Sequence, residues 1–173
     1  MYKLLKKTWF KLILILFTFI SIIYIILLLN GTLWIGDLPK DKYPVKGVDV
    51  SRYQGDIDWE VLANQDIMFA FIKSTEGSSS KDAHFDKNWE GALNTDLKVG
   101  AYHFFSFESS GDTQADNYIG IVEKREDTLP PVVDFEFYDI KSGKIPNREE
   151  ICSNLQLMLD RLEEYYERKP IIY

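Results

Sequence analysis

Cysteine occurs once in this chain, as Cys152, and histidine twice, as His84 and His103. One thiol cannot form an internal disulfide framework or a thiolate metal cluster, and two histidines supply a His-rich metal site poorly. Cys152 reads as a small buried hydrophobe on a helix. Basic charge is also scarce: 20 Lys and Arg stand against 27 Asp and Glu, and the sequence pI is near 4.9. Six lysines against two aspartates give residues 1–44 a balance of +4, so −11 of the net −7 belongs to the remainder. A strongly acidic body with no basic stripe excludes nucleic acid as a partner. No glycine-rich phosphate loop follows the first strand candidate, which argues against nucleotide binding, and no repeat or low-complexity tract is present. Any catalysis must therefore rest on carboxylates.

What the chain does have is apolar material, 46% of its residues, enough for one domain-sized core. Part of it is concentrated at the N-terminus. Residues Leu12 to Leu29 carry no charge and are dominated by Ile, Leu and Phe, near the minimum length that spans a bilayer as a helix. Lys3, Lys6, Lys7 and Lys11 precede this run, which predicts a cytoplasmic N-terminus and an exported C-terminal domain. Trp9 and Trp34 flank it like interfacial anchors. No Ala-x-Ala site follows, so an uncleaved signal anchor is preferred over a cleaved signal peptide. The expected organisation is a basic tail at 1–11, a transmembrane anchor at 12–29, a polar, proline-containing stalk at 30–45 and one domain at 46–173.

Within that domain, short apolar runs alternate with amphipathic patterns. Strands are expected at 46–50, 67–73, 98–105 and 131–137, with another beginning at Pro170. The near-continuous apolar character of 67–73 suits a strand covered on both faces. Helices are expected at 82–94, 113–124 and 148–168, the last with Ile151, Leu155, Leu159 and Leu162 at helical spacing and Asn147 as its cap. Such alternation predicts an α/β fold with parallel strands, either an open doubly wound sheet or a (β/α)-barrel.

Two acids interrupt the fourth run, Val132-Val133-Asp134-Phe135-Glu136-Phe137. Side chains two apart on a strand share a face, and two carboxylates on one face must meet solvent, a cation or a substrate. The C-terminal end of a parallel strand is where such folds place their active sites. Crowding raises the pKa of at least one member, leaving a proton donor beside an ionised neighbour. The competing reading is that Lys or Arg neutralises them. Asp49 repeats the arrangement at the end of the first strand, with turn or helix capping as its alternative. Glu76, Tyr102 and Phe104 end the second and third strands and would join the same rim, although aromatic residues there are as often core. His103 alternates to the other side and reads as a packing histidine.

Four segments, GVDVSRYQGDIDW at 47–59, FAFIKSTEG at 69–77, VGAYHFF at 99–105 and PVVDFEFY at 131–138, together resemble glycoside hydrolase family 25, the muramidases also called Chalaropsis-type lysozymes. The resemblance implies an irregular, TIM-like (β/α)-barrel that cleaves the β-1,4 bond between N-acetylmuramic acid and N-acetylglucosamine in peptidoglycan. It implies no metal and no cofactor. By position Glu136 is similar to the proton donor, Asp134 to its partner and Asp49 to a third active-site acid. Glu76, Tyr102, Phe104 and Tyr138 fall where substrate would be bound. The family's pattern continues beyond the strand at Pro170 with further strands, a late Asp and a Trp-Gln-Tyr segment, so a barrel incomplete at its C-terminus is expected. The expected protein is a monomer held in the cell membrane by one helix, acting on glycan strands outside. The alternative is an inactive glycan-binding or scaffolding module of the same fold.

Overall fold

A computed structural model describes residues 2–29, 41–137 and 147–173. The chain divides into two compact units, Met1–Pro44 and Val45–Tyr173. In the first, helix α1 covers Tyr2–Leu29, and its stretch Trp9–Leu27 is long and apolar enough to cross a membrane. Thr18 and Ser21 do not break that apolar surface, because each hydroxyl donates to the carbonyl four residues back, Leu14 and Phe17. Most of the expected stalk, 30–40, lies outside the described residues.

The second unit is built on one sheet. Strands β1 (Gly47–Val50), β2 (Phe69–Glu76), β4 (Lys98–Phe104), β5 (Val132–Asp134) and β6 (Ile171–Ile172) lie side by side in that order, every neighbouring pair parallel. A two-residue strand, β3 (Ser80–Lys81), turns back antiparallel on the end of β2 and has no counterpart in the sequence expectation. Helices α2 (Trp59–Ala63), α3 (Phe85–Leu93), α4 (Gly111–Ile121) and α5 (Arg148–Tyr166) alternate with the strands. The sheet does not close, since β1 and β6 are not paired with each other. The α/β alternation and the parallel sheet are as expected, and the sheet is open among the described residues.

Strand periodicity sorts the side chains. Val50, Ala70, Ile72, Val99, Ala101 and Val133 bury themselves against Trp59, Phe85, Ala92, Ala115, Tyr118, Met158, Leu162 and Tyr166 from the four helices, in one continuous core. Tyr118 and Tyr166 keep their hydroxyls satisfied there, donating to the carbonyls of Ala101 (3.0 Å) and Val122 (2.6 Å). Helices α4 and α5 meet at Gly111, whose amide donates to Asn154 Oδ1 at 3.1 Å; a Cβ at this glycine would sit 1.9 Å from the Asn154 carbonyl oxygen. Local caps fix the helix starts: Ser110 accepts from the Thr113 amide, Asp58 from Val61 and Asn147 from Glu150. The Ser110 cap explains why α4 begins at 111, two residues before the expected start. Strand β5 ends at Asp134, so Glu136 and Phe137 lie beyond the ladder instead of within it.

Candidate active site

The face of the sheet turned away from the helices carries the other half of each strand's alternation. Gly47 and Asp49 of β1, Phe69 and Phe71 of β2, Tyr102 of β4, Val132 and Asp134 of β5, and Ile171 and Tyr173 at β6 line a cleft of about 320 Å³. Its depth depends on two glycines. The ring of Phe69 lies over Gly47 and that of Phe71 over Gly100, at 2.1 and 2.4 Å from where a Cβ would stand, so neither position tolerates a side chain without displacing an aromatic ring.

Asp134 is the acid most shaped by this setting. It is 9% exposed, and its Oδ1 is buried without a hydrogen-bond partner. Burial pushes its pKa up to about 6; the neighbouring Glu136 carboxylate adds to the rise, Lys73 opposes it, and Asp49 contributes further. The raised carboxyl of the pair is Asp134, and burial precedes crowding by Glu136 as the cause. Glu136 is exposed at the end of its strand, yet near enough to act on Asp134 electrostatically. Asp49 reaches the same cleft from β1 and is exposed. It does not cap the turn that follows; Ser51 does, accepting from the Tyr53 amide.

Tyr102 stands between the acids. Burial, with Asp49, Asp134 and Asp82 adding to it, raises the pKa of this half-buried side chain far above the ordinary tyrosine value. It is thus a neutral phenol, able to donate to a carbonyl or hydroxyl in the cleft. Glu76 and Phe104 do not line the cavity. They pair across β2 and β4 at its rim, where Lys73 Nζ lies 2.8 Å from Glu76 Oε2 and 4.6 Å from the centre of the Phe104 ring. Tyr138 lies outside the described residues. His103 turns to the helix side with no exposed surface, consistent with its alternation.

Sequence reasoning did not single out Lys73, Phe69, Phe71 or Tyr173. The run at 67–73 was expected to be covered on both faces, but Phe69 and Phe71 are only half-buried and form cleft wall. A usable signal was present: Lys73 continues the period-2 series Phe69, Phe71, and a lone cation in that series marks the face that meets solvent and acids. Among the described residues no group of three or more His, Cys, Asp or Glu is placed to hold a metal ion. The site can hold one carboxyl protonated near pH 6 beside others that are solvated, with a neutral phenol between them.

Residues 48–173 match the model of glycosyl hydrolases family 25. The uncharacterized protein YegX of Escherichia coli K12 is 35% identical over 136 residues, covering 76% of this chain and 48% of its own length. Lysozyme M1 of Streptomyces globisporus is 41% identical over 102 residues, covering 57% of this chain and 35% of that protein. Among solved structures, a family 25 glycosyl hydrolase from Bacillus anthracis superposes with a TM-score of 0.72 at 52% identity, covering 75% of this chain and 59% of that one. The chain spans about half the length or less of these curated relatives.

Proposed function

The chain belongs to glycosyl hydrolase family 25, and from that premise we propose that it takes part in hydrolysis of peptidoglycan glycan, at the β-1,4 bond between N-acetylmuramic acid and N-acetylglucosamine. The observation that carries this reading is the cleft itself: Asp134, its carboxyl raised to about 6 with one oxygen unpaired, faces the same space as Asp49 and Tyr102, with Glu136 at the edge. Hydrolysis adds water across the bond. The leaving oxygen gains a proton as its bond to the anomeric carbon breaks, and that carbon gains an oxygen derived from water.

In this reading Glu136 delivers the proton, because it stands at the open end of β5 where a leaving sugar can exit. A bound glycan would cover Glu136 and exclude water from around it. Asp134 accepts a hydrogen bond from a sugar substituent once ionised, Asp49 adds negative potential opposite it, and Tyr102 donates to a sugar oxygen. Phe69 and Phe71 offer apolar wall to pyranose faces, and Glu76, Phe104 and Tyr138 belong to the outer binding rim.

We also propose that the five parallel strands are an arc of a (β/α)-barrel. Strand order that follows chain order, with α2 to α5 in one core on one face, is barrel winding; a doubly wound sheet reverses its order and divides its helices between faces. The apolar helix would act as a signal anchor, its preceding lysines holding the N-terminus in the cytoplasm and the cleft outside.

The test is release of muramic acid reducing ends from purified peptidoglycan by the full chain, compared with Glu136→Gln. Release by the parent and not by the variant supports the assignment. Equal release by both would remove Glu136 from the chemistry, and binding of glycan without release would make the chain a glycan-binding module.

A further inference from the structure

On the helix side of the sheet, directly behind the cleft rim, four polar side chains have no exposed surface: Ser74, Thr75, His103 and Gln114. Thr75 Oγ1 lies 2.8 Å from His103 Nδ1, and His103 Nε2 lies 3.1 Å from Gln114 Oε1. That oxygen also accepts from the Ser106 amide at 2.6 Å, while Gln114 Nε2 donates to the carbonyls of Ser106 and Ser109, both at 3.0 Å. Because Gln114 presents an acceptor to His103, Nε2 carries the proton and Nδ1 accepts from the Thr75 hydroxyl. Burial holds the imidazole neutral, with its pKa lowered to about 4. Ser74 joins the same cluster: its hydroxyl donates to the Tyr102 carbonyl at 2.9 Å and lies 3.3 Å from the Thr75 hydroxyl.

Two consecutive strand residues, Ser74 and Thr75, cannot both face the helices in a regular strand, whose side chains alternate. They do so here because β2 bulges: Lys73 pairs with Tyr102, Thr75 with His103 and Glu76 with Phe104. Were the same residues to run as a regular strand, Thr75 would face the cleft and Glu76 the helices. The bulge therefore puts Glu76 on the same face as Lys73, three residues away, and makes their 2.8 Å ion pair possible.

We propose that Thr75, His103 and Gln114 are positioning residues that lock this bulge, and that the lock keeps Lys73 engaged by Glu76 and so prevents it from neutralising Asp134. The idea rests on the reading of the cleft acids as the reaction centre, and extends it to a buried device that sets the pH at which Asp134 ionises. Asp134 is faced by Glu136 from just beyond its own strand, Asp49 from β1, Lys73 from β2, Tyr102 from β4 and Tyr173 from the end of β6. Lys73 is the cation in that set. If the bulge relaxes, Glu76 leaves the cleft face, and the charged neighbours that remain to Lys73 beside the Phe104 ring are the cleft acids.

Carboxyl-carbon NMR titration of Asp134 in the full chain, held in detergent micelles, tests this without depending on sugar cleavage. Thr75→Val, which removes one hydroxyl and keeps the volume, should lower the Asp134 midpoint by roughly one unit; Thr75→Ser, which restores the hydroxyl, should leave it unchanged. A folded Thr75→Val chain that titrates like the parent overturns the proposal. Glu76→Gln, at an exposed position, frees Lys73 directly and should produce the same downward shift; an unmoved midpoint there also overturns it. In the unaltered protein, nitrogen-15 spectra should find His103 neutral and protonated on Nε2 from pH 5 to 8, and a charged ring or the other tautomer would remove the lock.

Discussion

Along β2, Ala70, Ile72 and Ser74 have no exposed surface, whereas Phe69, Phe71 and Lys73, interleaved with them on the same strand, remain part-exposed over the cleft. The two faces of this sheet meet different demands. On the helix side apolar groups form one continuous core, and the buried polar side chains Thr75, His103 and Gln114 find partners in one another, although Trp59 Nε1 and Asn88 Nδ2 do not. On the cleft side Asp134 carries an unpaired buried oxygen and a pKa far from its ordinary range. Stability is gathered on one face and chemistry on the other, which lets a four-residue strand such as β1 contribute Val50 to the core and Asp49 to the site.

This division can be broken at chosen points. The largest expected effect is on the cleft side: Glu136→Gln should lower turnover by about 10²–10⁴-fold, the usual contribution of a positioned acid, with little change in melting temperature. Reducing-end release and thermal melting measured together check both halves. Ile72→Ala should do the reverse, costing about 2–5 kcal/mol of stability through the cavity it leaves in a fully buried position. Denaturant unfolding reads that loss, and a cost below that of a surface change would mean the core is not where the packing puts it.

Asp134→Asn sharpens the comparison, because it should disable the site and strengthen the fold. Asp134 titrates near 6 in the folded chain and about 4 when unfolded. Protonation of Asp134 therefore favours the folded chain, a contribution fully present below about pH 4 and lost as the pH rises through 6, above which the ionised group opposes folding. Replacing it should raise stability by roughly 1–2 kcal/mol at pH 7 to 8, and the gain should vanish near pH 4. Melting curves across that range test the sign. A smaller effect is expected at the edge strand β3, where the exposed Lys81–Asp86 pair lies at 2.6 Å. Lys81→Ala should cost under about 1 kcal/mol, and less in high salt.

How much of this was legible beforehand varies with how local the cause is. Asp49, Tyr102 and Asp134 could be placed because strand alternation is a short-range rule that held through β1, β4 and β5. Asn147 announced the start of α5 for the same reason, its side chain bonding an amide three residues on. Lys73 and Glu76 could not be brought together, because the bulge at Ser74 changes which face every later residue of β2 occupies. That bulge is held by His103 and Gln114, 28 and 39 positions beyond Thr75, so its cause is not local to the run it alters.

The sequence by itself determined the class of the molecule: parallel strands alternating with helices, an apolar N-terminal helix, carboxylates as the available reactive groups and the ordered motifs of glycosyl hydrolase family 25. Those depend on composition, on period and on residues close in the chain. The tertiary structure decided which carboxyl is raised, that Glu136 stands beyond its strand in solvent, that Phe69 and Phe71 are wall and not core, and that Lys73 turns to Glu76. Each of these depends on desolvation and on charges carried by different strands, and burial and distance between remote residues exist only once the sheet has formed.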